Sequence, residues 1–342
     1  MTKVLFVLDF YPVAYFESDP EIQEILATLP SDVEIEYTED LTLQSLSNPM
    51  EYISRTEKTG AEWVEPAPEM LEKFADKDVI IVHWSPFNSK MIDAAKNVKF
   101  IGSMRSGWEN VSKDYAESKG IVVKNCPGRL ADSVSDLTMA LTLSLNKGLL
   151  KRNLMASGGN WLVAYGQEKT FRPLSMLKVG LVGFGIIGQK VAQRFQACGS
   201  TVQAYDPFVD DASFAALGVE KVDLDTLCRT SDIISMHARL SDDTRGLIGA
   251  AEFAKMQPHC FFINTARAGL ADEQALIEAL QNKQILGAGL DVYSEEPLDL
   301  ESPLLQMDNV TLTPHMGGAF PGVIQLSLGL IIDTLKQYLE TL

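Results

Sequence analysis

Lys178-Val179-Gly180-Leu181-Val182-Gly183-Phe184-Gly185-Ile186-Ile187-Gly188 is the stretch whose reading decides the fold. A mostly apolar segment with the look of a buried strand runs straight into a turn with glycine at its first, third and sixth positions. Residues 189–197 then take up helical periodicity. Three glycines alone are a weak signal. Strand, turn and helix together, followed by Asp206 18 residues after Gly188, make the full dinucleotide-binding fingerprint. Gly183 permits the tight turn, Gly185 lets a pyrophosphate approach the backbone, and Gly188 lets helix and strand pack closely. The amides of Gly185, Ile186, Ile187 and Gly188 open the helix, so its positive end faces the phosphates without help from a lysine or arginine. Asp206 closes the next strand, where it can accept from a ribose diol and would repel a 2′-phosphate. The following Pro207-Phe208-Val209 brings no cation, so NAD is expected over NADP.

Outward from this turn, apolar runs alternate with amphipathic segments, the pattern of a parallel sheet covered by helices. Strands are expected at 201–205, 219–222, 232–236, 260–264, 286–290 and 310–313 after the turn, and at 3–9, 79–83 and 99–102 in an earlier unit. Residues 131–150 are apolar over most of a helical surface after Asp132, which implies a buried helix. The stretch 38–70 lacks a period and carries Asn48-Pro49, Gly60 and Pro66-Ala67-Pro68, so it reads as an irregular connection around a short helix. A binding lid, a subunit contact and a plain surface insertion all stay open for it.

The chain has 342 residues, long enough for two domains, with 46% hydrophobic and 22% charged residues, an ordinary globular composition. A formal net charge of −17 disfavours capture by nucleic acid or by an anionic membrane. An anionic substrate would therefore need a local cationic site. The apolar start is interrupted at Asp9, too early for a signal segment, and no stretch approaches the length that spans a bilayer. A cytoplasmic protein is expected. Cys126, Cys198, Cys228 and Cys260 are scattered without metal-knuckle spacing and read as free thiols; no metal is expected.

Three further runs follow predicted strands: Ile263-Asn264-Thr265-Ala266-Arg267-Ala268-Gly269, Gly289-Leu290-Asp291-Val292-Tyr293-Ser294-Glu295-Glu296-Pro297, and Leu312-Thr313-Pro314-His315-Met316-Gly317-Gly318. Together with the glycine turn, in this order and near this spacing, they resemble the signatures of the D-isomer-specific 2-hydroxyacid dehydrogenases, over roughly residues 79–325. The resemblance implies that Arg267 binds and polarises a 2-keto acid, that His315 is the general acid/base, and that Glu296 pairs with it. The chemistry agrees: a guanidinium suits bidentate carboxylate recognition. An imidazole, with an ordinary pKa near 6.5, suits reversible proton transfer near neutrality.

By the same resemblance, His237 and Ala238 line the cofactor crevice, Ala266 lies beside it and Asp291 near the nicotinamide amide. Gly102-Ser103-Met104-Arg105-Ser106-Gly107 resembles the loop that holds the substrate carboxylate, with Met104, Arg105 and Ser106 in contact and Ser106 also touching the cofactor. Arg105 stands where many relatives carry a small residue. Contact with a second anionic group of the substrate and a bridge between domains are both open for it. Asn125-Cys126-Pro127-Gly128-Arg129 resembles the hinge into the long helix, with its arginine read as structural. His83 and His259 read as structural too, and Ala238-Arg239 departs from the family, which commonly has proline there.

The expected architecture is α/β: two Rossmann-like domains, a doubly wound NAD-binding sheet over 104–316 and a flavodoxin-like substrate domain from 1–103 and 317–342, with a cleft that closes on a hinge. The apolar helix 131–150 suggests a homodimer. A phosphoglycerate dehydrogenase would share the catalytic residues, and the sequence suits that branch without a regulatory domain after residue 342. Formate dehydrogenases lack the glutamate; phosphite dehydrogenase would share the triad. Corepressors of this fold would use it to sense NAD.

Overall fold

The structure, a computed structural model, describes residues 1–44, 49–159 and 171–341. The chain divides into two compact units, Met1–Arg129 with Phe320–Leu342, and Leu130–Ala319. Each is built on one parallel sheet. Helices cover both faces of such a sheet, so its central strands bury side chains in both directions and read as continuous apolar runs. Val79-Ile80-Ile81-Val82 and Phe261-Phe262-Ile263-Asn264 are fully buried for that reason.

In the first unit, β1 (Thr2–Leu8), β2 (Val33–Glu39), β3 (Val79–Val82), β4 (Phe100–Ser103) and β5 (Val122–Lys124) are ordered β2-β1-β3-β4-β5. This is the flavodoxin-like order, with its switch point between β1 and β3. The last helix, Val323–Leu339, returns to this unit and buries Ile324, Leu328, Ile331, Ile332 and Leu335 against Val4, Phe6, Ile81 and Phe100. Spacings of three and four put those five side chains on one face. Burying each contributes about 1.5–3 kcal/mol.

The second unit holds β6 (Lys178–Val182), β7 (Thr201–Tyr205), β8 (Glu220–Lys221), β9 (Ile233–Met236), β10 (Phe261–Asn264), β11 (Gly287–Leu290) and β12 (Val310–Leu312) in the order β12-β11-β10-β9-β6-β7-β8. Counted from β6, this is the doubly wound order with one further strand, and its switch point lies between β6 and β9. The helix Ala131–Lys147 packs Leu141 and Leu145 with Val179, Leu181 and Ile263. Gly148, at φ 58°, ends it in the left-handed conformation, so the expected helix stops short of residue 150.

Three expectations need correction. The boundary at 103/104 is too early: β5 pairs with β4 from Phe100↔Val122 to Gly102↔Lys124, so the chain stays in the first unit until Arg129. It re-enters at Phe320 rather than 317. Residues 38–70 are not an irregular connection. They carry the end of β2 and helices Leu41–Gln44, Pro49–Thr59 and Pro68–Phe74, with residues 45–48 outside the described part. Of the prolines taken for breakers, Pro49 and Pro68 stand at helix starts, where a missing N–H costs nothing. Asp40 starts the first of these helices by accepting from the amides of Thr42 and Leu43. Finally, β2 and β5 went unseen. Val33-Glu34-Ile35-Glu36-Tyr37 alternates in the way that could have revealed an edge strand; β5, at three residues, carries too little pattern.

Candidate active site

The glycine turn lies at the carboxyl end of β6. Gly183 has φ 97°, and a Cβ on it would fall 2.3 Å from the Ala238 amide nitrogen, so the turn is pressed against the chain leaving β9. A Cβ on Gly188 would fall 2.3 Å from the Gly183 carbonyl oxygen. Any side chain at either position would push the turn open. Around Gly185, by contrast, a Cβ would meet nothing, and the helix Ile186–Ala197 begins there with no side-chain cap and no acid in its first turn. Its first amides are thus available to an anion approaching from outside.

Asp206 follows β7. Its Oδ2 accepts from the Phe184 amide at 2.8 Å and its Oδ1 from the Phe208 amide at 2.9 Å, which fixes the carboxylate beside the glycine turn. A cradle without side chains, an uncapped helix start and a pinned acid fit a dinucleotide: the turn for the pyrophosphate, Asp206 for the adenosine ribose. His237 is different. Its side chain is half-buried, Nε2 lies 2.9 Å from Ser235 Oγ, and Nδ1 is buried without a hydrogen-bond partner. Burial pushes its pKa down to about 3, so the ring is neutral, and its approach to any cofactor would be through the main chain.

Arg267, Glu296 and His315 sit at the same sheet edge, after β10, β11 and β12. Buried Asn264 shapes the first loop: its Oδ1 accepts from the Ala266 amide at 3.1 Å and its Nδ2 donates to the Arg267 carbonyl at 3.0 Å. Arg267 Nη1 donates to the Ala266 carbonyl at 2.8 Å, and among the described residues no carboxylate forms an ion pair with it. Glu296 Oε1 accepts from the Tyr293 amide at 3.0 Å, while Oε2 lies 2.7 Å from His315 Nδ1. Partial burial pushes the Glu296 carboxyl up. The bonds from His315 and Tyr293 and the charges of His315 and Arg267 outweigh it and hold the group below the usual carboxylate range.

His315 has φ 51°, the left-handed region that non-glycine residues rarely occupy. Asp291 holds the chain there. Its Oδ1 accepts from Thr313 Oγ1 at 2.6 Å and from the Met316 amide at 2.9 Å, and its Oδ2 from the Gly317 amide at 2.8 Å. The carboxylate is buried and serves the His315 turn on both sides, a role the sequence did not announce. The Tyr293 hydroxyl, 2.7 Å from the Thr313 carbonyl, ties β11 to the same turn.

Met104, Arg105 and Ser106 belong to the first unit. The expectation for Met104 is corrected: its amide donates to the Val82 carbonyl at 2.8 Å and its side chain lies in the core, so neither is left to grip a substrate carboxylate. Arg105 is buried with its guanidinium carbon 3.3 Å from the Trp84 ring centroid, and its Nη2 lies 3.3 Å from Glu57 and 3.7 Å from Glu109. The exposed Ser106 donates its hydroxyl proton to the Cys126 carbonyl at 3.0 Å. His259 Nε2 meets Asp232 Oδ1 at 2.7 Å, at the amino end of the second sheet and so away from the loops just described.

Fold and site together define a two-unit, dinucleotide-binding α/β protein. Comparison with known proteins makes the class narrower. The chain belongs to the D-isomer specific 2-hydroxyacid dehydrogenase family, whose NAD-binding domain model matches residues 139–317. A hydroxypyruvate reductase from Thermotoga maritima is 37% identical over 256 residues, 73% of this chain and 81% of that protein. A D-3-phosphoglycerate dehydrogenase from Methanocaldococcus jannaschii is 34% identical over 80% of this chain but only 52% of its own length. The chain thus spans about half the length of the phosphoglycerate dehydrogenases it matches, that of Archaeoglobus fulgidus included. Among solved structures, a D-lactate dehydrogenase from Aquifex aeolicus, complexed with NAD and lactic acid, aligns with TM-score 0.70 and 25% identity over 99% of this chain and 96% of that one. The matching model is the family's NAD-binding domain, and residues 139–317 fall within the second unit, so that unit is the one that binds NAD.

Proposed function

We propose that the chain is an NAD-dependent oxidoreductase that interconverts a D-2-hydroxy acid and its 2-oxo acid, with His315 as general acid/base, Glu296 as its partner and Arg267 holding and polarising the substrate. The observation that carries this reading is the 2.7 Å contact between His315 Nδ1 and Glu296 Oε2 at the sheet edge that also bears Arg267 and the glycine turn. Gly183, Gly185 and Gly188 would hold the pyrophosphate of a dinucleotide and Asp206 its adenosine ribose, and the group so held would supply the hydride for reduction and take it back in oxidation. With Nδ1 turned to Glu296, proton exchange with the substrate oxygen falls to Nε2. In reduction Nε2 protonates the oxygen as the carbonyl carbon gains the hydride; in oxidation it receives the hydroxyl proton. The carboxylate of Glu296 stabilises the imidazolium form and fixes the ring's orientation. The Arg267 fork matches a substrate carboxylate, and its charge draws electron density onto the ketone oxygen.

A homodimer acting in the cytoplasm, with no nucleic-acid or membrane partner, completes the proposal. The charge of −17 supports the last point. Exposed Leu149, Leu150 and Leu154 on the helix Leu149–Ser157 support an apolar contact between copies. Among the described residues no helix is long and apolar enough to cross a membrane.

The test is steady-state oxidation of NADH across a panel of 2-oxo acids. Micromolar NADH binding without turnover of any member would leave a dinucleotide-sensing binding protein and overturn the reading. The position of Asp206 sets a second expectation. Catalytic efficiency with NADH should exceed that with NADPH by about 10²-fold, since a 2′-phosphate would face the carboxylate directly, and Asp206→Ala should narrow the ratio by about tenfold or more. A parent enzyme that prefers NADPH would sink the assignment.

A further inference from the structure

His315 and Glu296 come from two separate loops of the second unit, and one residue is bonded to both loops. Glu296 stands in the segment that leaves β11, His315 in the turn that leaves β12. The Tyr293 amide donates to Glu296 Oε1 at 3.0 Å, and the Tyr293 hydroxyl lies 2.7 Å from the Thr313 carbonyl oxygen, two residues before His315. The same hydroxyl lies 3.0 Å from the carbonyl oxygen of Leu290, the last residue of β11. A phenol has one proton to give, and the shorter contact directs it to Thr313. The backbone nitrogen of Tyr293 thus fixes one side of the 2.7 Å contact between Glu296 Oε2 and His315 Nδ1, and its side chain fixes the other.

Core packing does not ask for that hydroxyl. The ring is buried in the core of the second unit, where phenylalanine would present the same apolar face. A buried phenol needs a partner for its O–H, and here the partner is the turn that carries the acid/base candidate. Burial, and after it the charge of Asp291, pushes the Tyr293 hydroxyl well above its ordinary range, so it remains a donor wherever an imidazole titrates. The turn needs holding, since His315 at φ 51° occupies a conformation that a histidine keeps only where its surroundings impose it. Asp291 clasps the turn through Thr313 Oγ1 and the amides of Met316 and Gly317, but a carboxylate has nothing to donate to Glu296. Tyr293 reaches both.

We propose that Tyr293 is a positioning residue: its hydroxyl holds the turn bearing His315 where Nδ1 meets the carboxylate that its own amide has fixed. It acts through that pair. The inference rests on the reading of His315 as the general acid/base, and its test needs neither nucleotide nor substrate.

The experiment follows the Cε1 protons of the four histidines by NMR through a pH titration of the protein without added nucleotide. The His315 signal is the one lost in His315→Asn. Glu296→Gln sets the scale, because it removes the attraction of the carboxylate for the imidazolium and so lowers the His315 midpoint. Tyr293→Phe should lower that midpoint by about a third of the Glu296→Gln shift or more. In the double variant the midpoint should fall no further than in Glu296→Gln alone, as expected of two residues that act by one route. A tyrosine that only fills the core would move neither value. With NADH and a 2-oxo acid, Tyr293→Phe should lower kcat by about tenfold while the substrate KM stays within about twofold of the parent. A circular dichroism spectrum matching the parent shows that the variant is folded. A His315 midpoint unmoved by Tyr293→Phe overturns the inference, and so does a midpoint that falls further in the double variant than in Glu296→Gln. Should no 2-oxo acid turn over, the function proposed above fails, and the titration alone decides whether Tyr293 sets the pair.

Discussion

Replacing His315 by asparagine is expected to lower kcat by about 10²–10⁴-fold while NADH affinity stays within about twofold of the parent. Asparagine is the informative choice, because the residue at this position must hold φ 51° and asparagine is among the few side chains that tolerate the left-handed region. It keeps the turn and removes the proton carrier. Alanine would confound lost chemistry with backbone strain. Single-turnover mixing with NADH, together with fluorescence titration of the nucleotide, separates the two quantities. The companion variant Glu296→Gln should shift the pH profile in a set direction. Glu296 is held below the usual carboxylate range by His315 among others, and the coupling is mutual, so the carboxylate favours the imidazolium. Without it, the apparent pKa of the group that donates in reduction should move to lower pH. Normal turnover in His315→Asn, or an unmoved profile in Glu296→Gln, would remove the pair from the mechanism.

Arg267→Ala is expected to damage capture and chemistry together, lowering kcat by about 10²–10³-fold and raising the substrate KM as well. The side chain makes no ion pair among the described residues, so its removal leaves no carboxylate orphaned, and the loop keeps the Asn264 bonds that shape it. Lysine at this position restores charge without the planar fork, so Arg267→Lys should recover binding more than rate. A circular dichroism melt within about 2 °C of the parent would show that the fold is intact. If only KM rose and kcat stayed put, Arg267 would bind the carboxylate without polarising the ketone.

The ends of the strands were legible before any tertiary structure was known. Val182, Tyr205, Asn264, Leu290 and Leu312 each close a run whose apolar character stops at glycine or at a polar residue, and the functional candidates stand just beyond. A parallel doubly wound sheet collects all those ends on one edge, so recognising strand, turn and helix at 178–197 was enough to bring the glycine turn, Asp206, Arg267, Glu296 and His315 to a common side. Less was legible where pattern is short or borrowed. β5 is too brief to show a period, and missing it placed the end of the first unit some two dozen residues too early. Met104 was assigned a substrate contact by likeness of its loop, yet the register of β3 against β4 takes its amide for the Val82 carbonyl.

By itself, then, the sequence determined the class of fold, the dinucleotide turn and which loops carry chemistry, since these follow from side-chain period and turn chemistry, properties read within a few residues. Tertiary structure alone decided the partners. That Asp291 clasps the turn bearing His315, that Arg105 lies between Trp84 and two glutamates, and that Arg129 reaches Ser327 of the last helix are relations between segments far apart along the chain. A carboxylate or guanidinium carries no local mark of which distant group will meet it or whether water is excluded there; packing settles both.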